Sequence, residues 1–88
     1  MVEEFVVYVL YSRKYDKIYI GYTSNLLERF KSHNYLGKKG FTIKYRPWEV
    51  VYVSFHHKKS AALIAEKGLK SGVGRRFIRE EVLKRETN

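Results

Sequence analysis

The chain opens on a dense apolar run, residues 5–11 (FVVYVLY), that is rich in β-branched and aromatic side chains and closed by Ser12-Arg13-Lys14. A run this short predicts a buried strand in preference to a helix. Residues 17–22 (KIYIGY) predict a second strand, and the polar stretch 13–16 between them predicts an antiparallel hairpin. Pairing would bring Tyr8 and Tyr19 within reach of each other, although register is not readable from sequence. Thr23-Ser24-Asn25 then offers N-cap candidates, and Leu26, Leu27 and Phe30 mark the apolar side of a short helix. Arg29 and His33 are four residues apart on it and are expected to project from one face.

Residues 34–46 (NYLGKKGFTIKYR) are rich in Lys and Gly and predict a loop. Pro47 holds Arg46 in an extended conformation and marks entry to a third strand, 48–55. Ser60 is expected to cap a second helix running to residue 69, with an unbroken apolar run at 61–65 (AALIA) and Ser71, Gly72 and Gly74 at its end. A last helix, 75–85, is expected to bury Phe77, Ile78, Val82 and Leu83. The order β-β-α-β-α-α predicts an α+β domain, one small sheet covered by helices.

Length and composition narrow this picture. Eighty-eight residues allow one domain, and 44% hydrophobic content is enough for its core. The absence of cysteine excludes a disulfide or a Cys-ligated zinc and fits a reducing cytoplasm. There is no signal-peptide pattern and no apolar run near the roughly 20 residues of a membrane span, so the expectation is a soluble cytoplasmic protein without a membrane partner.

Charge supplies the first functional clue. Eighteen Lys and Arg face nine Asp and Glu, a net +9. That excess points to a polyanion, because neutralising phosphates releases condensed counterions. A merely solubilising surface is the plain alternative. An anionic membrane is a weaker one, since the basic residues are scattered and not gathered on one amphipathic helix.

Metal-assisted phosphodiester cleavage needs carboxylates. Most of the nine acids sit near the termini, in the hairpin turn or on polar helix faces. Glu66 differs, because it directly follows the apolar run 61–65. A carboxylate close to a core needs a partner, and a divalent cation is one. The plain alternative is an ion pair with Lys67 or Lys70, or simple exposure, and helix position alone leaves the readings about equal. One helical carboxylate cannot build a two-metal site. Any metal chemistry would therefore use one Mg²⁺ or Mn²⁺, with cations such as Arg29 completing the charge stabilisation. His56-His57 reads as surface at a strand end.

Taken together and in order, these residues resemble the GIY-YIG nuclease superfamily. The carriers are Val7-Tyr8-Val9, Tyr19-Ile20-Gly21-Tyr22-Thr23, Arg29, His33-Asn34, Pro47-Trp48 and Glu66-Lys67-Gly68-Leu69-Lys70. More narrowly, the pattern looks like the small single-domain bacterial branch related to the nuclease domain of the excision-repair incision subunit. At the first tripeptide, Val6 and Val7 stand where the family has glycine and isoleucine. The resemblance implies a three-stranded antiparallel sheet flanked by helices and an endonuclease acting on nucleic acid, DNA first. It implies Tyr8 as general base, Tyr19 as supporting phenol, Arg29 as phosphate clamp, His33 as a second polar group on that helix and Glu66 as the single metal ligand.

A phenol is a weak base at neutral pH unless cations favour its phenolate, and Arg29, a metal and the basic field are expected to supply that bias. Gly21 is expected to let backbone or substrate approach closely. Lys38, Lys39, Lys44, Arg46, Lys70, Arg75 and Arg76 are candidate nucleic-acid contacts, with Phe41 and Tyr45 interleaved in the basic loop as stacking groups. A chain this small has no separate targeting domain, so a protein partner could supply substrate geometry. The alternative function is a nucleic-acid-binding module that keeps the nuclease fold and cleaves little by itself.

Overall fold

The computed structural model describes residues 4–37 and 40–86. Strand β1 (Phe5–Ser12) lies between β2 (Lys17–Thr23) and β3 (Glu49–His56), and both pairings are antiparallel. Its central place explains its composition: Val6 to Leu10 are all buried, with Val7, Val9 and Leu10 wholly out of water. Each such side chain contributes about 1.5–3 kcal/mol. The β1–β2 register sets Tyr8 opposite Gly21 and Leu10 opposite Tyr19. On the other side Val9 faces Tyr52 and Leu10 faces Val50, so β3 carries an extra residue there.

Alternation along β1 divides the core between the two sheet faces. On one, Tyr8 and Leu10 pack with Trp48 and are flanked by Tyr19, Leu26, Phe30 and Tyr45. On the other, Val9 and Ile20 pack with Ile78 and Leu83, joined by Leu69. The predicted architecture is therefore present: an α+β fold built on a three-stranded antiparallel sheet flanked by helices.

Helix α1 (Leu26–Lys31) starts at Asn25, whose side-chain oxygen accepts a hydrogen bond from the Glu28 backbone N–H at 3.2 Å. It runs directly into a π-helical turn, Ser32–Leu36, and a short helix α2 (Phe41–Lys44) follows. The segment read as loop thus holds two helical turns, fixed by distant partners. Arg46 donates to the backbone oxygens of His33 (2.7 Å), Ser32 (3.0 Å) and Gly37 (2.8 Å). Asn34 is clamped to Trp48 in both directions: Trp48 N–H donates to Asn34 Oδ1 at 2.7 Å, and Asn34 Nδ2 donates to Trp48 O at 3.2 Å.

Four further expectations need correction. The third strand begins at Glu49, because Trp48 is buried in the core and donates its indole N–H to the Thr42 carbonyl. Helix α3 (Lys59–Lys70) starts one residue before Ser60, from an extended Lys58 without a side-chain cap. Ser71 ends α3 and also caps α4 (Gly72–Phe77), its Oγ accepting from Gly74 N–H at 3.1 Å, so the last helical stretch starts at Gly72. That stretch continues through a π-helical segment, Ile78–Val82, into α5 (Leu83–Glu86). Ile78, Val82 and Leu83 are buried as expected, but Phe77 stays 39% exposed and meets Tyr52 edge-on.

Candidate active site

A cleft of about 440 Å³ opens where the start of β1 meets the end of β2, and Tyr8, Tyr19, Gly21, Arg29, Lys59 and Glu66 all line it. Three separate elements deliver the chemistry: the hairpin carries both tyrosines, α1 carries Arg29, and α3 carries Lys59 and Glu66. A larger depression of about 650 Å³ lies beside Tyr11, Arg79, Glu80 and Glu81. It contains none of the motif side chains, and its Arg79 is tied to Asp16, so the smaller cleft is the chemically equipped one.

Tyr8 is the innermost member. Its hydroxyl lies 2.8 Å from His33 Nε2 in a buried contact. The Tyr19 ring sits between cleft and imidazole, with its centroid 4.6 Å from that of His33 and 6.3 Å from that of Tyr8. Arg29 and His33 serve the same site at different depths. Arg29 is exposed in the cleft, whereas His33 lies in the π-helical turn, 8% exposed behind the tyrosines. Both side chains are thus directed to one site, with His33 the deeper of the two.

Gly21 has a sharper purpose than substrate access. A Cβ there would stand 2.6 Å from Tyr8 Oη and 2.9 Å from Tyr8 Cζ. Those separations are far inside van der Waals contact, so the glycine is the space into which the phenol fits. The register explains why, since Gly21 is the residue directly opposite Tyr8.

The electrostatics correct another expectation. Burial, reinforced by the neighbouring Tyr19 and by Glu66, pushes the Tyr8 phenol above its ordinary value, and Arg29 opposes this without prevailing. Arg29 and the basic field by themselves therefore leave Tyr8 a neutral O–H. His33 is shifted downward, first by burial and then by the Arg29 and Arg46 guanidiniums. In its Nδ1–H tautomer the neutral imidazole leaves Nε2 free to accept the Tyr8 proton across this 2.8 Å contact.

Of the readings of Glu66, the structure shows the ion pair with Lys70. Glu66 lines the cleft, and its Oε2 lies 3.5 Å from Lys70 Nζ on the next helical turn. Its side chain is 17% exposed, enough to reach solvent. Among the described residues no group of three or more His, Asp or Glu gathers as a metal site. Glu66 is the carboxylate in the cleft lining, and a hard cation there would complete its shell with water, as Mg²⁺ tolerates readily.

The remaining candidates lie outside the cleft lining. Lys44, Lys70, Arg75 and Arg76 are exposed, and Arg75 donates to the Lys70 carbonyl at 3.3 Å. Arg46 is occupied by three backbone carbonyls and holds the turn that carries His33. Lys38 and Lys39 lie outside the described residues. Lys59 escaped the sequence reading, since a lysine at the start of a helix carries no signal until the fold turns it into the cleft.

The family of the chain can now be given. Residues 4–87 match the model of the GIY-YIG catalytic domain, and the chain belongs to that family. This defines a nuclease-type domain with nucleic acid as its substrate, in a family whose nucleases are generally metal-dependent. A search of curated proteins finds no match. No helix among the described residues is long and apolar enough to cross a membrane.

Proposed function

We propose that this chain is a metal-dependent endonuclease that hydrolyses phosphodiester bonds, in DNA first, with one divalent ion held at Glu66. The observation that carries this reading is the convergence of Tyr8, Tyr19, Arg29 and Glu66 on one cleft, with His33 bonded behind Tyr8.

The cleft's cations admit the phosphate. Arg29 grips its oxygens through paired N–H donors, and Lys59 adds a second positive charge at the same wall. A water attacking phosphorus must lose a proton, and the Tyr8–His33 pair gives it somewhere to go. The water proton passes to Tyr8 Oη as the Tyr8 proton passes to His33 Nε2. Tyr8 remains a phenol throughout, so its raised pKa is no obstacle. A free phenolate, which burial opposes, never forms. The P–O bond to the leaving strand breaks, and its oxygen takes a proton from solvent. Charge building on the phosphate oxygens is met by Arg29. A Mg²⁺ or Mn²⁺ ion at Glu66 would supply further neutralisation of that charge.

Purified protein is to be assayed on single-stranded, duplex, flapped and branched DNA and on RNA, with Mg²⁺, with Mn²⁺ and with chelator. Metal-dependent cleavage lost in Glu66→Ala and Arg29→Ala is expected. Cleavage that survives both substitutions would overturn the assignment. Salt-sensitive binding without turnover on any substrate would instead favour the binding module.

A further inference from the structure

Beyond the cleft, the face that holds Tyr8 and Tyr19 continues as a row of rings. Tyr19 meets Trp48 edge-on at 6.4 Å, Trp48 meets Phe41 at 6.2 Å, Phe41 meets Tyr45 at 4.8 Å, and Tyr45 meets Tyr15 edge-on at 5.6 Å. Trp48 is buried and belongs to the core, but the row surfaces as it leaves the cleft: Phe41 is 46% and Tyr15 42% exposed. Half-exposed rings gain little from burial, so stability alone is a poor reason for two of them here. Lysines accompany them. Lys17 Nζ lies 5.3 Å from the Tyr45 ring centroid, Lys14 Nζ lies 5.4 Å from that of Tyr15, and exposed Lys44 closes α2 beside Tyr45.

Flat apolar faces alternating with cations complement a strand that offers flat bases and anionic phosphates in turn. A paired duplex keeps its bases stacked inward and cannot offer them to Phe41 or Tyr15. An apolar protein segment would have to desolvate the flanking ammonium groups, which makes it the poorer occupant. We infer that the Phe41–Tyr45–Tyr15 row binds unpaired nucleotides adjoining the phosphodiester held in the cleft, so that the substrate class is nucleic acid with a single-stranded segment at the cut. This inference rests on the nuclease reading above and specifies its substrate.

Binding is to be measured by fluorescence anisotropy in chelator, where no cleavage occurs, with three labelled DNA probes: a blunt duplex, the same duplex with a single-stranded flap, and an oligothymidine. Wild-type protein is expected to bind flap and single strand more tightly than blunt duplex. Phe41→Leu and Tyr15→Leu keep apolar bulk but remove the flat face. Together they are expected to weaken flap and single-strand binding about tenfold while changing duplex binding less than about twofold. Phe41→Tyr restores a ring and should restore affinity, which separates stacking from a packing defect against Trp48. Tyr15→Leu alone, in the hairpin turn, serves if the double variant does not fold.

Equal loss on all three probes, or no loss on the unpaired ones, would overturn the inference while leaving the nuclease reading intact. No binding of any probe at low salt would overturn both. Unpaired strands bound more weakly than duplex, with an apolar peptide captured on the same rings, would reassign the surface to protein.

Discussion

At the scale of single residues, the site depends on contacts in which one atom more would be too many. Gly21→Ala places a methyl group on the Tyr8 hydroxyl, at 2.6 Å in the undisturbed geometry. Tyr8 is held on all sides, so it must tilt, and the 2.8 Å bond to His33 is the interaction that gives way. Cleavage is expected to fall at least tenfold in kcat with the fold retained, as read by circular dichroism; wild-type turnover in this variant would refute the phenol–imidazole relay. The same pair sets the pH response. His33 titrates below its ordinary 6.5 because of burial and the two arginines. The folded protein thus holds this proton less tightly than the unfolded chain. Stability from the neutral imidazole is complete above the unfolded value and is lost as pH falls through the folded one. Activity follows the same limb, since protonated Nε2 accepts nothing from Tyr8. The profile of kcat/KM, which reports the free enzyme, is expected to drop tenfold per pH unit at the acid end with a midpoint below 6.5. A midpoint above 6.5, or no acid limb at any pH where the fold persists, would remove His33 from the proton path.

At the scale of elements, two glycines near the α3–α4 junction make opposite predictions. Gly68 lies inside α3, and a Cβ there would meet nothing within 4 Å. Its cost is therefore conformational alone, and Gly68→Ala should stabilise the fold by about 1 kcal/mol. That corresponds to a rise of about 4–8 °C in Tm for a domain of this size. Gly74 is buried, and a Cβ there would stand 2.2 Å from the Gly68 carbonyl oxygen and 2.5 Å from Leu69 Cα. Gly74→Ala must push α4 off α3 and should lower Tm; an unchanged Tm in either variant, measured by thermal melt, would contradict this account of the junction. The sequence names both glycines and cannot tell them apart, because the difference lies in what another helix brings near. The same limit governs the rest of the fold. Apolar runs made β1, β2 and most of β3 legible, and the cap at Asn25 marked α1. The turns at Ser32–Leu36 and Phe41–Lys44 were not legible, since their conformation is set by Arg46, Asn34 and Trp48, up to fourteen residues away along the chain. Ordered motifs picked out Tyr8, Tyr19, Arg29 and Glu66. They did not reveal Lys59 in the cleft, Gly21 as room for Tyr8, or the direction of the Tyr8 shift.

At the scale of the whole molecule, the question is whether a net +9 acts as a diffuse field or through particular side chains. The structure separates the cations into groups. Arg13 is paired with Glu49 and Arg79 with Asp16, Lys70 stands by Glu66, and Arg46 serves backbone carbonyls. Arg29 and Lys59 instead face the cleft, and Lys14, Lys17 and Lys44 accompany the exposed rings. A cation that touches a phosphate releases a counterion on binding, whereas one already neutralised by a carboxylate releases little. Log affinity plotted against log salt therefore distinguishes them, each phosphate contact on duplex DNA adding about 0.9 to the slope. Lys59→Ala is expected to reduce that slope by about 0.9 and to weaken binding similarly on every duplex sequence. Arg13→Ala removes the same formal charge, but it also releases Glu49 from its partner, at a position remote from the cleft. It should leave the slope unchanged within about 0.3, a spread set by the size of one contact. If both variants lower the slope equally, net charge alone governs association and the cleft has no privileged phosphate contact. If only Lys59→Ala lowers it, the α3 wall holds the strand, and the scissile phosphate is brought to Tyr8 by two cations from different helices.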